Sequence, residues 1–130
     1  MGRITVVEHK GATILLQDFS ELRPGEEYQR SLAEARAYIA SRPKRSVLSL
    51  FDAKGATYNA TVMADLKDFA RHNEPFIRAS AVVGIEGILR IALVGVSRFS
   101  GRTFETFPDR ASALDWLAEQ AAASSQKGPA

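Results

Sequence analysis

The stretch over residues 45–70, near the middle of the chain, constrains the fold more than any other part of the sequence. Residues 47–51 (VLSLF) form an almost continuous apolar run, which is typical of a strand covered on both faces of a sheet. Residues 52–59 interrupt this run with a glycine and with small or polar side chains, and apolar residues then recur at helical spacing. The pattern predicts a buried strand, a polar loop and a helix in succession.

This succession places backbone N–H groups of a helix start at the carboxyl edge of a sheet, where ligands usually bind in open α/β folds. We therefore take the loop as a candidate site for a protein partner or an anion. Its candidate residues are Asp52, Lys54, Gly55, Thr57, Tyr58 and Asn59. The structural alternative is that Thr57 or Asn59 caps the helix and Asp52 closes the loop, since a cap alone stabilises a helix by about 1 kcal/mol.

The rest of the chain predicts the element order ββαβαβαβα in a single domain over residues 1–120. Two short apolar runs flank Lys10 and Gly11 and predict a β-hairpin. Strands then alternate with helices, which favours an α/β fold with a mixed, mainly parallel sheet of five strands and about four helices. We expect strand 47–51 near the sheet centre and Trp116 partly buried on the last helix. Residues 121–130 are small or polar and predict a disordered tail.

Composition excludes several classes of function. The 130 residues include no cysteine, so disulfides, thiolate catalysis and cysteine metal sites are absent. The formal net charge is only +2, with both signs interspersed, which gives no argument for nucleic-acid binding. No apolar run reaches the ~18 residues of a membrane span, and the first apolar run is too short for a signal peptide. We therefore expect a cytoplasmic protein.

No catalytic constellation appears in the sequence, and we predict no catalytic residue, no cofactor and no metal site. Residues 84–87 (GIEG) lack the third glycine of a dinucleotide loop, and Lys54-Gly55 lacks the remainder of a phosphate loop. Residues 95–99 miss the nucleophile motif G-x-S-x-G by one position. His9 and His72 have no partner at the spacing of a helical metal pair. These absences favour a non-enzymatic protein.

The predicted helix over residues 88–99 is apolar around nearly its whole circumference. A helix that lies on the sheet of a monomer normally keeps a polar outer side. We therefore expect its second face to line a cavity for a small apolar ligand or to contact another protein molecule, most simply a copy of itself in a two-fold dimer. Flanking guanidinium groups suit a lipid headgroup, a small anion or an acidic partner, or simply form the polar edge of a buried helix. The candidate residues are Arg90, Leu93, Val94, Arg98 and Arg102.

Three segments in this order, AVVG at 81–84 with Gly87, RFSGR at 98–102 and ALDWL at 113–117, carry a family resemblance. With them the chain resembles the STAS, or SpoIIAA-like, domain family from about residue 4 to 119, and most closely its small stand-alone bacterial members. The resemblance implies a mixed-sheet α/β domain related in architecture to the lipid-binding Sec14 domain. The best-known members are anti-sigma-factor antagonists that a partner kinase phosphorylates on a Ser or Thr in an Asp-Ser-Ser/Thr-Gly loop.

The matching loop here reads Asp52-Ala53-Lys54-Gly55, so the hydroxyl positions hold alanine and lysine and the usual phosphorylation site is lost. The nearest hydroxyl groups, on Thr57, Tyr58 and Thr61, lie toward the helix. The resemblance implies a regulatory protein-interaction module whose partner is a kinase, an anti-sigma-like protein or a sensor. The alternative that it implies is a small apolar ligand or lipid bound beside helix 88–99.

Overall fold

The computed structural model describes residues 2–85 and 88–127, with the side chains of residues 88, 89, 92 and 124–127 outside the description. The strands are β1 (Ile4–His9), β2 (Ala12–Asp18), β3 (Val47–Asp52), β4 (Ile77–Val83) and β5 (Glu105–Phe107). The helices are α1 (Glu26–Ala40), α2 (Ala60–Asn73), α3 (Ile88–Ser100) and α4 (Arg110–Lys127), and a 3₁₀ turn (Glu74–Phe76) joins α2 to β4. This order confirms the predicted ββαβαβαβα.

The five strands form one sheet in the order β1-β2-β3-β4-β5. β1 is antiparallel to β2, as expected of a hairpin, and the other three pairs are parallel. β3 is therefore the middle strand, and all of its residues are buried except Phe51, which is half-buried. The predicted α/β fold and the central position of this strand are both confirmed, because apolar side chains on both faces require cover on both faces.

Helices cover the two faces of the sheet unequally. Of the described helices, only α4 lies on one face, here called the α4 face, where Leu48 and Leu50 of β3 meet Leu117. α1 and α2 cover the opposite face, here called the α1–α2 face, where Leu15 and Val47 pack beneath both helices. α3 lies beside α2 on this second side. Two separate apolar clusters result, one on each side of the same five strands.

The start of α4 is fixed by Asp109, whose Oδ1 accepts a hydrogen bond from the Ser112 N–H at 2.8 Å. Trp116 is half-buried, with its ring centroid 5.5 Å from that of Phe107 on β5, which confirms its predicted partial burial. The tail predicted from residue 121 is instead helical as far as Lys127, and residues 128–130 lie outside the described part of the chain. The reason is the alanine run at 121–123, since alanine has the highest helix propensity and Ala121 also packs against the core.

Candidate functional site

The loop after β3 is held in place mainly by its own backbone. The Ala53 N–H donates to the Val83 carbonyl at 2.9 Å, which ties the loop to the end of β4. The Lys54 carbonyl accepts from the Glu21 N–H at 2.8 Å. These bonds leave little freedom for the loop to rearrange around a partner.

Two glycines permit this close packing. Gly84, at the end of β4, has a φ of +82°, and a Cβ placed there would lie 2.5 Å from the Cα of Lys54. Gly55 has a φ of +72°, and a Cβ there would overlap the Glu21 carboxylate. Gly84, the first glycine of the GIEG segment, is therefore required for contact between two backbone segments. This packing role explains the glycine without a bound nucleotide.

Asp52 ends β3 as a buried carboxylate with two partners. Its Oδ2 accepts from the Arg110 Nε at 2.6 Å, and its Oδ1 accepts from the Lys54 N–H at 3.0 Å. The Arg110 Nη2 also lies 3.1 Å from Asp18 Oδ1 at the end of β2. One guanidinium at the start of α4 thus joins the carboxyl ends of two neighbouring strands. Asp52 therefore closes the loop, which is the structural role that the sequence offered as the alternative to binding.

The charges of this cluster support one another. Partial burial raises the pKa of Asp18, but hydrogen bonds from Ser20 and the charge of Arg110 outweigh it and hold that pKa below its ordinary value. Partial burial lowers the pKa of Arg110, but the hydrogen bond and charge of Asp52 raise it overall. Both groups therefore stay ionised through the neutral range. Sequence reasoning missed Arg110, which lies 58 residues from Asp52 and has no neighbouring motif.

Asn59 caps α2, because its side-chain oxygen accepts from the Val62 N–H at 2.8 Å. The capping role proposed for this residue is confirmed. Lys54 and Thr57 are exposed, and Tyr58 is half-buried at the edge of a pocket. Binding of a protein partner or an anion by this loop stays a prediction.

That pocket lies between the α1–α2 face of the sheet and the helices α2 and α3, and it holds a cavity of about 90 Å³ that is partly open to the surface. Its walls are predominantly apolar. The main wall residues are Phe51, Leu66, Phe69, Val82, Leu93 and Val96. Several of them are only half-buried, and the loop residues Ala56 and Tyr58 stand beside them. The second candidate region of the sequence, beside α3, therefore does border a cavity.

Polar side chains gather in one part of this pocket. Gln17, Ser49 and Ser80 come from three adjacent strands and are all buried, and Ser49 is in register with Ser80. Successive side chains of a strand point to opposite faces of the sheet, and these three side chains share one face. The Gln17 Nε2 donates to the Ser49 Oγ at 2.6 Å. Asn73 at the end of α2 and Arg102 after α3 complete the group, here called the polar cluster.

Arg102 is the charged member of the polar cluster and is only 9% exposed. Its Nη2 donates to the Ser80 Oγ, its Nη1 donates to the Ala70 carbonyl at 3.4 Å, and its guanidinium carbon lies 4.6 Å from the ring centroid of Phe104. Burial lowers the pKa of Arg102 to about 10, while Glu74 raises it in part. The group therefore remains protonated at neutral pH. A buried cation normally has an anionic partner.

Asn73 is 0% exposed, and neither its Oδ1 nor its Nδ2 has a hydrogen-bond partner among the described residues. Each such unsatisfied buried group destabilises a folded protein by about 1–3 kcal/mol. Natural structures contain few of them, and each needs an explanation. The side chain lines the pocket, so a bound molecule can supply the missing partners.

The residues proposed beside α3 divide between two sides of the helix. Leu93 lines the pocket, and Arg102 belongs to the polar cluster. Arg90, Val94 and Arg98 are exposed on the other side. The outer side also carries Ile91 and Phe99, and the exposed fractions are 74% for Ile91, 51% for Val94 and 45% for Phe99. α3 thus has an inner apolar side, which lines the pocket, and an outer apolar side, here called its outer face.

The sequence contains a signal for part of the polar cluster. Ser49 and Ser80 are single polar residues inside apolar strands, in VLSLF and ASAVV. A hydroxyl at a fully buried strand position needs a partner, so such residues indicate a polar contact in the interior. Asn73 has no comparable signal, because it lies between His72 and Glu74, and the signal of Gln17 is weaker because Asp18 follows it directly.

Comparisons with known proteins do not assign the chain to a family or a function. No protein-family model matches the chain, and no curated protein or solved structure is significantly similar to it. The STAS resemblance stays a hypothesis. Within the described residues, no three histidine or acidic side chains are grouped to hold a metal ion. None of the described helices is both long and apolar enough to cross a membrane.

Proposed function

We propose that this chain is a non-enzymatic binding module that takes a small, largely apolar ligand into the pocket between the sheet, α2 and α3. The observation that carries the proposal is a cavity with apolar walls and buried polar groups at one part of its lining. Small-molecule sites typically combine an apolar lining with a few polar groups that fix orientation. The sequence contains no recognisable motif of a nucleophile paired with a base, which favours binding over catalysis.

The pocket also sets the size of the ligand. An engineered cavity of about 150 Å³ in another protein accepts benzene, so about 90 Å³ encloses only a short chain or part of a ring. The half-buried wall residues leave room for a tail that continues toward the surface. Hexan-1-ol is therefore a suitable neutral probe.

Amide NMR spectra recorded during a hexan-1-ol titration test this proposal. We expect shifts at Ala53, Ala56, Val82 and Val96, which surround the cavity. Leu93→Trp fills the pocket and abolishes these shifts. The matched control Val94→Trp places the same ring on the exposed side of the same helix and preserves them. Spectra that do not change, or that change equally in Leu93→Trp, contradict the proposal.

A second candidate is a regulatory protein-interaction module of the STAS type, acting in the bacterial cytoplasm through the loop at residues 52–59. Two observations favour it. Lys54 and Thr57 are exposed on a loop that backbone bonds hold in one conformation, which reduces the entropy lost on binding a partner. The same loop borders the pocket through Ala53, Ala56 and Tyr58, so a partner at its outer side would stand beside a bound ligand.

A further inference from the structure

The polar cluster offers more hydrogen-bond donors than acceptors. The Ser49 Oγ accepts from Gln17 Nε2, and the Ser80 Oγ accepts from Arg102 Nη2. Neither hydroxyl hydrogen has an acceptor within the described residues. The Asn73 amide adds two donors without an acceptor, against one acceptor, Oδ1, without a donor. A group that binds here must therefore supply acceptor atoms.

The charge of the cluster is also incomplete. Over residues 2–85 and 88–127, no carboxylate forms an ion pair with Arg102. Glu74 acts on it only at longer range, and its carboxylate already accepts from Arg45 Nη1 at 2.9 Å. A buried cation without a paired anion is costly. Its attraction to an anion is stronger here than in water, which offsets the cost of desolvating an anion that enters with the ligand.

We propose that the ligand is a monocarboxylate with a short apolar tail, whose carboxylate binds the Arg102 guanidinium and the Asn73 Nδ2. This inference rests on the proposed function and names the chemistry of its ligand. The tail lies along Phe51, Leu66 and Leu93 toward the half-buried rim. Because a carboxylate has no donor, the proposal assigns the Asn73 Oδ1 a water molecule that enters with the ligand.

The single positive charge of Arg102 favours a ligand that carries one negative charge. A single guanidinium neutralises a monoanion, whereas a phosphate dianion would leave excess negative charge between apolar walls. A carboxylate is also planar and accepts two parallel N–H bonds from arginine. An ammonium head would repel Arg102, and an alcohol head would leave its charge unpaired.

The test is a charge series on one tail, with hexanoate, hexan-1-ol and hexylamine titrated into the full chain at pH 7 by amide NMR. We expect hexanoate to bind at least tenfold more tightly than hexan-1-ol, and hexylamine to bind most weakly. Arg102→Met removes the preference for hexanoate and leaves the affinity for hexan-1-ol within about twofold. The control Arg98→Met removes an exposed arginine outside the pocket and keeps the preference.

The outcomes separate the two proposals. If no member of the series binds the wild type, both the proposed function and the carboxylate assignment fail. If hexan-1-ol binds as tightly as hexanoate, the pocket stands and the carboxylate assignment fails. If Arg102→Met keeps the preference, the headgroup lies elsewhere and the assignment is again overturned. The comparison of hexanoate with hexan-1-ol in the wild type does not require any variant to fold. Asn73→Leu provides a second variant that should also lose the preference for hexanoate.

Discussion

The two faces of the sheet are built from the same strands and differ in what they bury. On the α4 face, β3 supplies Leu48 and Leu50, and the helix closes over them with Leu117, which is fully buried. On the α1–α2 face, the residue between those two leucines is Ser49, which borders a cavity. Alternation along one strand thus gives the domain an apolar face that stabilises the fold and a face that keeps polar groups and empty space.

The contrast continues on β4. Ala81 and Val83 join the apolar cluster beneath α4, whereas Ser80 holds the Arg102 guanidinium on the opposite face. Polar groups in the interior lower stability unless they are fully paired. The α1–α2 face keeps Asn73 unpaired in the described structure, so it gives up stability that a wholly apolar interior would retain. A binding site is the functional reason we propose for that loss.

The largest expected effect lies on the α4 face. Leu117→Ala should lower the free energy of unfolding by about 2–5 kcal/mol, because it leaves a cavity in a filled apolar cluster. Urea denaturation measures the change. The control Glu119→Ala, exposed on the same helix, should stay within about 0.5 kcal/mol of the wild type. An unchanged midpoint in Leu117→Ala would show that this face does not carry the stability assigned to it.

A single substitution on the other face should act in the opposite direction. Asn73→Leu removes two unsatisfied polar atoms and fills part of the cavity, so we expect a gain of about 1 kcal/mol in the free energy of unfolding. His72→Leu, on the neighbouring exposed position, is the matched control and should leave stability nearly unchanged. A marked loss of stability in Asn73→Leu would mean that the amide has a structural role, and the contrast between the faces would weaken.

The sequence predicted the fold well because its strongest signals are local. A continuous apolar strand required cover on both faces, and a helix apolar all round predicted two apolar sides, which Leu93 at the pocket and the exposed Ile91 now show. What contacts the outer side stays a prediction. The tail was predicted wrongly over residues 121–127 because small residues were weighed as disorder instead of as helix formers.

The candidate site was predictable only in part, because tertiary structure assembles it from distant segments. The polar cluster takes one residue each from β2, β3, α2, β4 and the turn after α3. Of these, sequence reasoning found only Arg102, through its position beside an apolar helix. Asp52 was found as a loop residue, but its bond to Arg110 depends on how α4 crosses the sheet.

The smallest expected effect on stability lies outside both clusters, on the outer face of α3. Ile91, Val94 and Phe99 form an apolar surface flanked by Arg90 and Arg98, and we propose that two copies of the chain meet there in a two-fold dimer. Light scattering should give a dimer mass for the wild type and a monomer mass for Val94→Glu, with the unfolding midpoint nearly unchanged.

The control for this prediction is Ala37→Glu, which places the same charge on the exposed side of α1 and should leave the dimer intact. The hexan-1-ol affinity should be equal in Val94→Glu and the wild type, because Val94 points away from the pocket that Leu93 lines. A wild type that is monomeric at high micromolar concentration would refute the dimer. A Val94→Glu variant that loses ligand binding as well would show that the two sides of α3 act together, since a surface charge reaches the cavity only by moving the helix.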